Sequence, residues 1–138
     1  MRMNFGNDYQ FKKNKSMEIV LKRVYEDASP EDGYRVLVDR IWPRGISKEK
    51  AALDEWDKDL APSTELREWF HHDPLLWDEF SRKYKEELLE RNPGKPFLEK
   101  NGQQEKITLV YAARDEKHCH PLVLRDYLEQ LLNSKSKN

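Results

Sequence analysis

The chain holds one cysteine, Cys119, among its 138 residues. That excludes an internal disulfide and suits a reducing compartment. Its apolar runs stop at four or five residues, far short of the roughly 20 needed to cross a bilayer. A mean hydropathy of −1.02 agrees. The start of the chain has no apolar core of the kind a secretory leader needs. These absences point to a cytoplasmic, single-domain protein.

There is no large excess of either charge, but the net value of −1 hides an asymmetry. Residues 1–16 carry Arg2, Lys12, Lys13 and Lys15 against Asp8, leaving 21 basic and 25 acidic side chains in the body. Duplex binding draws its affinity from neutralising phosphates with Lys and Arg, so an acidic body argues against duplex nucleic acid as a partner. Any anion should be held in a local pocket.

Residues 1–16 show neither helical nor strand periodicity and read as a flexible arm, with Met17 a plausible alternative start. A single α/β domain is expected over 17–132, and a frayed tail over 133–138. Strands are predicted at 18–25, 34–39 and 107–113, each a short β-branched or apolar run. Between the second and third, residues 43–106 read as a mostly helical insert. Ser47 and Ser63 are suited to cap helices there. The longest helix is predicted over 74–91, with Asp73 as its cap and Pro74 at its first position. Trp77, Phe80, Tyr84 and Leu88 form its core stripe, Glu79 and Lys83 pair on its outer face, and "NPGKP" ends it. Trp69 is expected in the core as well. Leu124, Leu128 and Leu131 mark a last helix. Strands alternating with helices predict an α/β fold: a small, mainly parallel sheet with flanking helices.

Such sheets bind ligands where the carboxyl ends of the strands meet the following loops. The second strand runs into Asp39-Arg40 and the third into Arg114-Asp115, so an acid and a guanidinium reach the same edge from each. The loop "DRIWPRGISKEK" adds Trp42, Arg44 and Lys48, and Ser47 opens a helix whose free N–H groups favour an anion. Arginine forks bind carboxylate or phosphate at two points. The ligand-binding candidates are therefore Asp39, Arg40, Trp42, Arg44, Arg114 and Asp115, and the ligand class is small and anionic. The alternative is an internal network pairing Asp39 with Arg114 and Asp115 with Arg40.

The segment "DEKHCHP" supplies the catalytic candidates His118, Cys119 and His120. Histidine suits proton transfer near neutral pH, and a cysteine before a helix N-terminus between two imidazoles tends toward thiolate. Cys119 to Arg125 spells Cys-x5-Arg, the outline of a phosphatase loop. Pro121 has no N–H to offer, however, and no glycine lets such a loop curl. His118 and His120 with His71, His72 and Asp73 have ligand types that suit zinc, but no spacing that demands a metal. No motif names a cofactor. Trp42 and Trp56 lie in irregular charged surroundings that suit ring stacking. A second reading is therefore an accessory module for single-stranded nucleic acid or a protein partner.

The segments "VDRIWPRGISKEKAALDEWDKDLAPSTELREWF", "HDPLLWDEF" and "YAARDEKHCHPLVLRDYL" together resemble the YeaO-like branch of the domain of unknown function 488 family, over about Glu18 to Leu132. The resemblance implies a small cytoplasmic α/β protein from a family without an established activity. Distant members carry an Asp-x-Arg-x-x-Pro segment, answered here by Asp39, Arg40, Pro43 and Arg44. They also carry a late Cys-His-Arg segment, answered by Cys119 and His120 with Pro121 in the arginine's place. Closer relatives often have Asn at the cysteine position. The resemblance thus moves weight from covalent cysteine chemistry to the Arg/Asp/His cluster.

Overall fold

The computed structural model describes residues 17–137, so the arm expected over 1–16 lies outside the described residues. Four strands form one parallel sheet: β1 (Glu18–Arg23), β2 (Tyr34–Leu37), β3 (Glu55–Trp56) and β4 (Lys106–Tyr111), in the order β1-β4-β2-β3. Five helices accompany it: α1 (Lys48–Ala51), α2 (Thr64–Phe70), α3 (Trp77–Arg91), α4 (Gly94–Asn101) and α5 (His120–Lys137). The small parallel α/β fold and the helical insert are both present. α5 carries helical backbone through 133–137, where the sequence suggested a tail.

The last strand lies between the first two. Ile19 faces Ile107 and Leu21 faces Leu109 on one side of β4, while Val36 faces Leu109 and Leu37 faces Val110 on the other. Alternation then sorts the side chains. Val36, Val38, Ile107 and Leu109 enter a core with Phe80, Tyr84, Leu88, Leu124 and Leu128 of α3 and α5. Leu37 and Val110 pack with Ala51, against which Trp42 and Ile46 rest.

Three features of the insert differ from expectation. β3 is a two-residue strand inside a stretch that reads as helical. Two residues carry no periodicity, and only pairing with Val36 and Leu37 makes them a strand. "NPGKP" does end α3, with Asn92 left-handed at φ 50, but α4 begins at once with Gly94. A Cβ there would stand 2.7 Å from Leu131 Cδ1 and 2.8 Å from Tyr127 Cε2, so only glycine lets α4 lie this close to α5. Trp69 is 41% exposed rather than core. The seven-residue α2 turns Leu66 and Phe70, four apart, inward, which leaves Trp69 off the buried face.

The long helix follows its sequence signals. The Asp73 carboxylate accepts from Leu75 N, Pro74–Leu76 form a 3-10 turn, and the α-helix proper starts at Trp77. Phe80, Tyr84 and Leu88 are buried, with Phe80 stacked on Phe70 at 4.2 Å. Lys83 meets Glu79 at 3.7 Å on the outer face.

One buried charge braces the amino end of the sheet. Arg35, in β2, is 3% exposed. It donates from Nη1 to Asp32 at 2.7 Å, from Nη2 to Ala51 O at 2.6 Å and from Nε to Ala52 O at 3.0 Å. Those carbonyls belong to the end of α1, which has no further turn to satisfy them. Lys22 of β1 holds the other Asp32 oxygen at 3.0 Å. Removing one partner of a buried ion pair strands the other in low dielectric. Arg35→Ala should therefore cost about 3–5 kcal/mol, seen as a lower urea midpoint at unchanged slope.

Candidate functional site

β2 ends in a way that builds a site. Val38 N still bonds to Val110 O at 3.0 Å. At the next step the Asp39 side chain replaces the ladder, and its Oδ2 accepts from Ala112 N at 3.0 Å. The Asp39 carbonyl accepts from Trp56 Nε1 at 2.7 Å. One residue thus ties together the carboxyl ends of β2, β3 and β4.

α5 starts over the same edge and presents His120. Its Nε2 lies 2.9 Å from Val38 O and 3.8 Å from Asp39 Oδ1. A carbonyl only accepts, so Nε2 carries the proton, and the carboxylate is too far for a hydrogen bond. Arg40 turns away to donate to Pro62 O at 3.2 Å.

From α2 come Arg67 and, after the helix, His72. His71 and His72 both take left-handed backbone, at φ 47 and 57, a region that costs a non-glycine residue energy and collects at functional turns. Both Arg67 and His72 act on Asp39 electrostatically. Arg67 makes no direct ion pair with it, however, and Arg67 Nε is buried without a hydrogen-bond partner among the described residues.

The sequence candidates thus separate. Asp39 and His120 lie together, while Arg40 is turned to Pro62 O. Trp42 lies beneath the loop, donating to Ile46 O at 2.7 Å and meeting Trp56 edge-on at 5.3 Å. Arg44 is exposed, its carbonyl held by Tyr25 Oη at 2.9 Å. Arg114 and Asp115 are exposed on the β4–α5 loop, where Asp115 accepts from His118 Nδ1 at 2.8 Å. The crosswise Asp39–Arg114 and Asp115–Arg40 pairs are not formed among the described residues. Ser47 uses its own oxygen on Lys50 N, and α1 is four residues long, so no anion site opens there. No cluster of three or more His, Cys, Asp or Glu able to hold a metal occurs among the described residues. Arg23 was missed: from the end of β1 it donates to Ala112 O and Ala113 O at 3.0 and 2.8 Å. Arg67 and His72 were missed as neighbours of Asp39, because nothing local to α2 signals that its end reaches β2.

The family model of the inactive DUF488-N3 subclade matches residues 18–138. The chain belongs to this family. It is similar to the "Uncharacterized protein YeaO" of Escherichia coli strain K12, with 45% identity over 115 residues, 83% of this chain and 100% of that one. It is also similar to the "Uncharacterized protein Rv3073c" of Mycobacterium tuberculosis strain H37Rv, with 48% identity over 113 residues, 82% of this chain and 92% of that one. No solved structure matches it. The YeaO-like resemblance seen in the loop motifs therefore extends over most of the chain.

Within this family framework Cys119 is a packing residue. It is 1% exposed, its Sγ lies 3.7 Å from Glu116 O, and burial pushes the thiol up. The two imidazoles expected to favour a thiolate face elsewhere, His118 toward Asp115 and Trp77 and His120 toward Val38 O. With α5 helical from His120, the Cys-x5-Arg outline is helix and no phosphate loop forms. A shallow groove of about 450 Å³ between α3 and α5, lined by Trp77, Ser81, Lys85, Leu122 and Val123, lies apart from Asp39. Arg82 and Asp126 also line that groove.

Burial sets the electrostatics. It raises Asp39 to about 6, against the pull of the Ala112 amide, His72 and Arg67. It lowers His120 to about 4, so the imidazole is neutral at pH 7. His120 is thus not the near-neutral proton carrier expected of it, and its 3.8 Å approach to Asp39 is no ion pair at pH 7.

The two shifts have opposite consequences. Asp39 holds its proton more tightly folded than unfolded, so its contribution is full below pH 3.8 and is lost as the pH rises through 6. The His120 contribution is full above 6.5 and is lost as the pH falls through 4. Each amounts to at most about 3 kcal/mol, and between pH 4 and 6 they offset. Asp39→Asn should therefore lose stability on acidification across this window, and His120→Asn should gain it, in melting points taken every half pH unit. Cys119 should react with a thiol reagent only after the protein is denatured.

Proposed function

We propose that this protein binds a small anionic ligand, phosphorylated, nucleotide-like or carboxylated, at the carboxyl edge of its sheet. Arg67 supplies positive charge, His72 adds to it, and Asp39 and His120 form the inner wall. The observation that carries this reading is the buried Arg67 Nε, which has no hydrogen-bond partner among the described residues, in a guanidinium whose charge acts on the half-buried Asp39 carboxylate without an ion pair between them. A guanidinium donor desolvated without an acceptor is costly, and a ligand oxygen would relieve it. Arg114 stands exposed on the loop at the same edge.

Binding without turnover is the form of this reading we favour. The family description is of an inactive subclade, the thiol is buried, and the neutral His120 spends its proton on a backbone carbonyl. The accessory-module reading rests on Trp56, which is 37% exposed. Lys58 already lies 4.3 Å over its ring, which leaves less room for a stacked base.

Thermal shift against inorganic phosphate, adenosine monophosphate, sugar phosphates and short carboxylates tests the proposal. A ligand at 100 times its Kd adds about 2.7 kcal/mol, or about 5–10 °C for a domain of this size. The shift should vanish in a folded Arg67→Ala variant. A flat response across the panel would sink the small-anion reading.

A further inference from the structure

The cluster around Asp39 joins two features that are at odds for a simple anion site. Arg67 and His72 favour negative charge, yet a carboxylate stands among them, only 17% exposed on its side chain. A fully deprotonated anion would face Asp39 charge to charge, with no hydrogen between the oxygens. An anion that keeps one proton would not, because its O–H can donate to the carboxylate while its other oxygens accept from Arg67.

We propose that the site is specific for free inorganic phosphate, which retains a proton at pH 8, and that Asp39 is the residue that reads that proton. This deepens the anion-binding reading and rests on it. The groups facing Asp39 fit the role. The Ala112 amide at the end of β4 occupies one carboxylate oxygen, Oδ2. Oδ1 faces the cluster, with His120 of α5 at 3.8 Å donating to Val38 O instead. Arg67 and His72, from α2 and the turn after it, act on Asp39 through their charge, and Tyr84 of α3 feels that of Asp39. Tyr84 gives its own proton to Leu60 O. Oδ1 has no donor among the described residues, so it is the acceptor left for a ligand. Phosphate and sulfate have nearly the same shape and, at pH 8, the same charge, but only phosphate still carries a proton, because its third ionisation lies far above that pH. Discrimination between them therefore reports on the proton alone.

The experiment is calorimetric titration of the whole chain at pH 8 with inorganic phosphate and with sulfate, repeated on Asp39→Asn and Arg67→Gln. Phosphate should bind the native protein about tenfold more tightly, a difference of about 1.4 kcal/mol. Asn offers an N–H to either anion, so Asp39→Asn should bring the two within about threefold, and Arg67→Gln should weaken both. Phenyl phosphate in the same series is a second check: a monoester loses its last proton at about pH 6, so at pH 8 it should bind as weakly as sulfate. Binding as tight as that of inorganic phosphate overturns the inference. Equal binding of phosphate and sulfate by the native protein, or discrimination that survives in Asp39→Asn, overturns this inference and leaves the anion site standing. Binding of neither anion overturns the anion site itself. Asp39→Asn removes a buried charge, and its melting point shows whether it has stayed folded.

Discussion

The sheet depends on its last strand. β1 and β2 do not pair with each other; β4 lies between them and is parallel to both. Until residues 106–111 arrive, neither earlier strand has its central partner. The contacts that complete the sheet therefore span most of the chain, a topology expected to fold slowly. The helices answer to the same constraint. α3 and α5 pack on one face of this pairing, and Gly94 lets α4 come close against α5. At the amino end, Arg35 and Asp32 brace β2 against α1.

The same pairing makes the candidate site. Because β2 and β4 are neighbours running the same way, their ends emerge side by side, and the Asp39 carboxylate can take the Ala112 amide where the ladder stops. α5 then begins over that end and α2 finishes beside it. Three segments far apart in the chain thus bring charged or imidazole groups to one place, and a fourth brings a backbone amide. The desolvation that follows raises an acid and lowers a base. Such opposed shifts in one cluster are a recognised mark of sites that handle charge.

The fold was legible wherever a signal repeats along the chain. The stripe of Phe80, Tyr84 and Leu88 recurs at helical spacing, and Asp73-Pro74 marks the start of α3, so that helix is read directly. The apolar runs of β1, β2 and β4 are equally plain. β3 was not legible, because two residues hold no period. Trp69 was misread because an aromatic residue beside Leu66 and Phe70 looks like core until the rotation of α2 is known. In the site, Asp39 and His120 were named by their place after a strand and before a helix. Arg67 was not named, and His72 only among residues of a type that suits zinc, since proximity to Asp39 across the fold leaves no trace in either segment.

By itself, then, the sequence determined the class of fold, three of its strands and its long helices, and the edge at which polar groups collect. These follow from period, capping and burial, all of which are local. Only the tertiary structure decided which of those groups meet. It set His120 over Val38 rather than beside a thiolate, buried Cys119, left Arg114 and Asp115 outside, and brought Arg67 to Asp39. The physical reason is that meeting depends on strand order and helix rotation, and both are settled by packing the whole core at once.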